Sequence, residues 1–397
     1  MKKGIYLDHA ATTYVLPEVE KAMKPYYQNI YGNPSSLHNK GREALVELDK
    51  AREKVAHIFD CRGSEIIFTG SGTESDNLAL FGIVRQYQDK GKHIIISKIE
   101  HHAVLHTAQA LEKEGFEVTY LDVDEDGLVD LKKVYKAIRP DTIIISIMYA
   151  NNEIGVIEPI ADIGREILKY RKENNTEFPY FHTDACQAAG ALDLGVEKLH
   201  VDLMTINSSK IYGPKGVGVL YKKKNVKIKP LIYGGSQEFG LRAGTENLAG
   251  IIGLATALEL MQKDKEKENK RLIKLRDKLI AGIEKNISDV KLNGHREKRL
   301  PNNVNMTFLG AEGEALLLYL DNEGIYVSTG SACTSFDLDP SHVIVALGLS
   351  YEYAHGSLRM TLGKRTTEED IDYVLKVLPE VVKKVRKMSP VKTSCER

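Results

Sequence analysis

From about Glu65 to Tyr221 the sequence alternates short β-branched runs with amphipathic stretches of helical period, and few architectures accept that order. EIIFTG, KHIIIS, EVTYLDV, TIIISIMYA, YFHTDA, DLMTIN and GVGVLY read as buried strands. Between them, Asn77 to Asp89, Ala103 to Glu114, Leu131 to Ile138 and Pro159 to Glu173 read as helices. A strand whose flanks are both helical joins a sheet covered on both faces, so the pattern predicts an α/β sandwich around a mostly parallel central sheet. From Glu246 to about Lys285 a single long helix is expected to carry the chain out of this domain. The strands VKL, NVNMTF, IYVST and SLRMTLG then mix with helices opening at Gly313, Pro340 and Thr367, which predicts a smaller α+β domain. TTEEDID, with its hydroxyl before a run of acids, is a helix-opening signal.

At 397 residues the chain has room for two cores. Its 55 basic and 55 acidic side chains cancel, which argues against nucleic acid or an anionic membrane as the main partner. MKKGIYLDHAATT lacks the apolar core of a secretory signal, and no run approaches a membrane span. Cys61, Cys186, Cys333 and Cys395 lie far apart with no CxxC pair, so neither a zinc site nor a disulfide framework is expected and a reducing, cytoplasmic setting fits.

In open α/β sheets, sites form in the loops at the carboxyl ends of the strands. Several chemically unusual residues fall there. In EIIFTGSGTESDN the strand runs into Gly70-Ser71-Gly72-Thr73 and then a helix. Open backbone N–H groups at such a start can cradle phosphate, although a plain capping turn looks the same, and neither a Walker loop nor GxGxxG is present. Asp184, at the buried end of YFHTDA with Gln187 three residues on, needs a cationic partner or a capping role. Lys210, between DLMTIN and a glycine-rich turn, could condense with an aldehyde and act as a base, or be an ordinary loop lysine. Lys215 is the weaker candidate. His101 could stack on a flat ligand and move protons, while His102 must point elsewhere. Arg359 could grip a carboxylate with two parallel hydrogen bonds, or form a structural ion pair.

YLDHAATT, YGNPSS, GTESDN, EHHAV, NNEIG, HTDACQ, SSKIYGPKGVG, GLRAGTEN, STGSACTS and AHGSLRMTLG follow one another across nearly the whole chain. In this the sequence resembles the NifS/IscS type of cysteine desulfurase, in the class V aminotransferase branch of fold-type I pyridoxal-phosphate enzymes. The resemblance implies a large cofactor-binding domain over residues 15–262 and a small domain of residues 1–14 and 263–397. It implies pyridoxal 5'-phosphate held by Lys210, with Asp184 at the pyridine nitrogen, Gln187 and Asn152 near the ring hydroxyl and His101 stacked on the ring. Gly72, Thr73, Asn207 and Ser209 would bind the phosphate. Thr245 would reach the phosphate site of a neighbouring subunit in a homodimer with shared active sites. Arg359 and Asn33 would hold the carboxylate of L-cysteine.

The implied reaction moves sulfur from L-cysteine onto Cys333, in Thr329-Gly330-Ser331-Ala332-Cys333-Thr334-Ser335, and releases alanine. Small residues around Cys333 suit a loop that lets one thiol visit both the cofactor and a sulfur-acceptor protein, such as an iron–sulfur scaffold. Cys186 is expected to be a small core residue. Two departures from the family pattern stand out. Asn207-Ser208-Ser209 precedes the lysine where an imidazole is common, and Phe239 stands where many relatives have arginine. Selenocysteine lyase, an aminotransferase, or an idle scaffold are the competing readings. An aminotransferase has no use for Cys333, and an idle copy none for Lys210, Asp184 and His101.

Overall fold

The structure is a computed structural model that describes residues 4–329 and 340–389. The chain opens on β1 (Ile5–Tyr6), then after a helical stretch forms β2 (Ile66–Thr69), β3 (His93–Ser97), β4 (Glu117–Leu121), β5 (Thr142–Ser146), β6 (Tyr180–Asp184), β7 (Leu203–Asn207) and β8 (Gly218–Lys222). These last seven make one sheet in the order β2-β8-β7-β6-β5-β3-β4. All its pairs are parallel except those of β8, which runs antiparallel to both β2 and β7. The predicted α/β sandwich is therefore present, with one reversed strand.

The all-apolar runs explain the central strands. In β3 and β5 every residue is buried, because helices cover both faces. EVTYLDV differs: β4 pairs only with β3, and Glu117 through Tyr120 keep some exposure, as an edge strand does. The longest helix that the pattern did not show is Asn39–Phe59, with Ala44, Leu48, Ala51, Val55 and Phe59 on its buried face. The long helix runs Leu248–Asn286, 39 residues and roughly 58 Å, opened by the Asn247 side chain accepting from the Gly250 N–H. Its first half packs Ile251, Leu254 and Leu258 into the large core. Its second half packs Leu272, Leu275, Leu279 and Ile283 into a separate one.

That second core is built on β9 (Val290–Leu292), β10 (Asn303–Phe308), β11 (Ile325–Tyr326) and β12 (Ser357–Thr361). β12-β10-β9 form an antiparallel sheet, and β1 pairs with β11, so the N-terminal strand joins the C-terminal core. The helix Glu368–Arg386 closes it, opened by the foreseen capping box of Thr367 and Asp370. Val343, Ile344, Leu347 and Ala354 pack with the large cluster instead. No helix among the described residues is long and apolar enough to cross a membrane.

A buried ion pair ties the loop before the long helix to the sheet. Arg52 donates to both carboxylate oxygens of Glu238, at 2.7 and 2.8 Å, and to the Ile66 carbonyl, while Glu238 also accepts from the Phe68 N–H. Phe239 lays its ring on the same guanidinium, 5.1 Å from the centroid, which is where this departure from the family finds its place. Arg52→Ala strands the Glu238 carboxylate in a site that is 2% exposed, so unfolding by denaturant is expected to show a loss of about 3–5 kcal/mol. A loss below about 1 kcal/mol, the level of a surface ion pair, would contradict this assignment.

Candidate active site

The carboxyl ends of β2, β3, β5, β6 and β7 open on one cleft of about 340 Å³. It is lined by Gly72, Thr73, His101, Asn152, Asp184, Gln187, Asn207, Lys210 and Arg359, nine of the positions expected from the sequence. Each arrives by a local device. Ser71 caps the helix Gly72–Tyr87, its Oγ accepting from the Glu74 N–H at 3.1 Å, which leaves the N–H groups of the first turn facing the cleft. Gly72 must be glycine: a Cβ there would lie 2.8 Å from the Cys186 Sγ.

β7 ends at Asn207, whose Oδ1 accepts from the Ser209 N–H and starts the single 3-10 turn Ser208–Lys210. This turn is pinned from outside, as both the N–H and the Oγ1 of Thr13 donate to the Ser209 carbonyl. Lys210 Nζ then donates to the carbonyls of Ala10 and Ala11, at 2.9 and 2.6 Å. Gln187 Nε2 donates to the Ala10 carbonyl as well. These two backbone carbonyls help hold the amine at the cleft wall.

Asp184 is 5% exposed, and its Oδ1 accepts from the Cys186 N–H at 2.9 Å. His101 sits above it. Its Nδ1 takes the Ala103 N–H at 3.1 Å, so in the neutral ring the proton is on Nε2. Burial lowers its pKa, with the charge of Asp184 opposing, so the ring is neutral near pH 7. Arg359, 3% exposed, donates to the Asn152 carbonyl at 3.1 Å and to Asp8 at 2.8 Å, and its Nε has no partner among the described residues.

Three expected residues do not line this cleft. Asn33 and Thr245 are exposed elsewhere on the surface, and Ser209 is buried behind the lysine turn. Cys333 and Cys395 lie outside the described residues. His102 corrects the expectation that it points away. It lines the same cleft and packs its ring 4.8 Å from His106 and 4.9 Å from His342, and burial holds its pKa down to about 4. Cys186 is buried as expected, yet it touches the cleft with its thiol pushed well above the ordinary range by burial.

Other cleft residues were missed. Asp76 and Glu100 lie inside quoted motifs, GTESDN and EHHAV, without being given a role. The Ala10 and Ala11 carbonyls carry no side-chain signal. Burial pushes Glu100 up to about 8, against hydrogen bonds from the Ser97 hydroxyl and the Met148 N–H. A carboxyl raised above its unfolded value of 4.5 stabilises the fold below that pH, and the contribution is lost as pH rises to about 8. Cofactor-free Glu100→Gln, which cannot ionise, should therefore gain stability relative to wild type as pH rises from 4.5 to about 8. Thermal melts over that window test it, and parallel curves would show that Glu100 is already ionised.

The aminotransferase class-V model matches residues 5–374. The chain belongs to that family. A relative from Clostridium botulinum named cysteine desulfurase IscS is 53% identical over 393 residues, 98% of this chain and 97% of its own. A solved structure titled NifS-like protein superposes with a TM-score of 0.89 at 39% identity, over 96% of this chain and 99% of its own. Another, titled SspA in complex with cysteine, gives a TM-score of 0.77 at 35% identity, over 90% and 98%. The class V enzymes work with pyridoxal 5'-phosphate, and so does this chain. The residues present suit that group: helix N–H donors for a phosphate, a buried carboxylate for a ring nitrogen, a half-buried neutral imidazole for a ring face, and an amine beside them.

Proposed function

We propose that the chain is a pyridoxal-phosphate-dependent cysteine desulfurase that takes sulfur from L-cysteine onto Cys333 and releases alanine. One observation carries the reading: Lys210, Asp184 and His101 converge in one cleft, from β7, β6 and the loop after β3. Gly72, Thr73 and Asn207 would hold the phosphate, and Asn152 and Gln187 the ring hydroxyl, while Ser209 would support the lysine turn from behind. Asp184 would hold a proton on the ring nitrogen, and His101 would cover the ring face. When bound, the cofactor supplies an electron sink for the carbanion at the substrate Cα.

Lys210 would hold the cofactor and, as the amine beside the substrate, would take the Cα proton. Arg359 orients the substrate carboxylate; its unpartnered Nε supports that role. The Cys333 thiolate then forms an S–S bond with the substrate sulfur while the C–S bond breaks. The bonding pair ends on carbon, which takes a proton, and alanine leaves. The persulfide is passed to an acceptor protein such as an iron–sulfur scaffold.

Thr245, exposed here, would reach the phosphate site of a second copy in a homodimer, while Asn33, also exposed, is expected beside Arg359 at the substrate carboxylate. Exposed Tyr27, Tyr31, Leu37 and Phe239 suit such a contact. The division into 15–262 and 1–14 with 263–397 puts the boundary within the long helix, where its contacts pass from one core to the other. A cytoplasmic setting, with no nucleic acid or membrane partner, agrees with the balanced charge. The test is alanine formed from L-cysteine by cofactor-loaded protein with a thiol reductant, beside Cys333→Ala. Alanine from the wild type alone supports the reading. Equal alanine from both points to a lyase without a persulfide, and none from either removes the activity.

A further inference from the structure

Asp76 has no part in the chemistry above, yet it lies at the centre of the cleft floor. It is 1% exposed, on the helix Gly72–Tyr87, and its carboxylate, that of Asp184 and the His101 imidazole lie within 4.8 Å of one another. Two buried carboxylates that close cannot both ionise cheaply.

The groups around Asp76 show which of its atoms lacks a partner. The Thr205 hydroxyl on β7 lies near its carboxyl and favours the ionised form. His182 Nε2 lies 3.1 Å from that hydroxyl and its Nδ1 2.8 Å from the Ser146 hydroxyl. Burial holds the His182 pKa down to about 4, so the ring is neutral near pH 7. It offers Asp76 no positive charge, although its Nε2 is 3.6 Å from Asp76 Oδ1. Glu100, also buried, faces the pair from the loop after β3, and Lys210 and Cys186 face Asp184. Asp76 Oδ1 is left with no hydrogen-bond partner among the described residues. Burial, then Asp184, raises the Asp76 pKa well above the usual carboxylate range.

We propose that Asp76 is a positioning residue, a neutral carboxylic acid whose Oδ1–H donates to Asp184 and so fixes the one carboxylate that faces the cofactor ring nitrogen. Asp184 then has its Oδ1 held by the Cys186 N–H, Asp76 behind it, and the ring nitrogen in front. One anion meets one cation, with no second buried charge. This rests on the reading of the cleft as a pyridoxal-phosphate site, and predicts that the donor on Asp76 matters while its capacity for negative charge does not.

The experiment compares Asp76→Ala and Asp76→Asn, the second an isostere whose amide N–H can take the place of the acid O–H. Cofactor dissociation constants and the pH dependence of cofactor absorbance are measured on reconstituted protein. Asp76→Ala should bind about tenfold more weakly. Asp76→Asn should recover most of that loss and leave the midpoint of the absorbance transition in place. Asparagine no better than alanine, or a midpoint that moves by about one pH unit in Asp76→Asn as loss of a nearby anion would produce, overturns the proposal. In cofactor-free protein, the infrared C=O absorption of protonated carboxylic acids, to which Glu100 also contributes, should lose one component in Asp76→Asn, and an unchanged absorption overturns the proposal. This second readout needs no cofactor, so it separates a failure here from a failure of the functional reading. If Asp76→Ala does not fold, the asparagine variant and the infrared difference decide the matter.

Discussion

Lys210→Ala is expected to reduce alanine formation at least about a thousandfold, the largest effect of any single substitution in the cleft. The amine has two tasks in this account, covalent hold on the cofactor and proton transfer at the substrate Cα. No other residue of the site can take over either. Lys215, the other lysine of that segment, is exposed and does not line the cleft. The variant should still bind the cofactor through the phosphate cradle of Gly72 and Thr73, more weakly. Borohydride, which fixes the cofactor to the wild-type chain, should leave it unattached in Lys210→Ala. Cofactor reduced onto another lysine, or activity within tenfold of wild type, would move the assignment away from Lys210.

Asp184→Asn ranks second, at about a hundredfold in turnover. In the proposed reaction the buried carboxylate would make a proton on the ring nitrogen stable, which its neutral amide could not do. Its backbone partner, the Cys186 N–H, can still bond to the amide oxygen, so the fold should survive. The spectrum of the bound cofactor should shift as the ring nitrogen loses its proton. An unchanged spectrum with full turnover would show that Asp184 is a strand-end cap only.

The elements that read clearly from the sequence were those where one periodicity dominates. HIIIS and TIIIS have no polar face to hide, so β3 and β5 could only be central strands. The direction of β8 was not visible, because an antiparallel strand in the same covered sheet needs the same apolar residues. The Asn39–Phe59 helix was obscured for a related reason. Its buried stripe uses Ala44, Ala51 and Ala56 between charged residues, and long-side-chain neighbours mask so weak an apolar face.

The site divides the same way. Lys210, Asp184 and His101 follow strands, where position itself suggests chemistry. Asp76 sits inside a helix after a conspicuous glycine loop, and reads as one more acidic residue of the first turns until the fold brings it against Asp184. The carbonyls of Ala10 and Ala11 come from the far end of the chain, and only tertiary structure places them at Lys210. His102 shows the opposite error. Adjacent residues at a helix start need not face apart, because His101 is the cap, with extended backbone, and His102 the first helical residue.

In the proposed reaction, sulfur leaves cysteine on Cys333. The most direct measurement is the mass of the peptide containing Cys333, isolated after a single turnover with L-cysteine in the absence of reductant and any acceptor. The account predicts that this peptide gains the mass of one sulfur atom, in proportion to the alanine formed, and loses it on treatment with a thiol. Alanine released in full while the peptide keeps its original mass, or the extra sulfur found on Cys61 or Cys186, would contradict it.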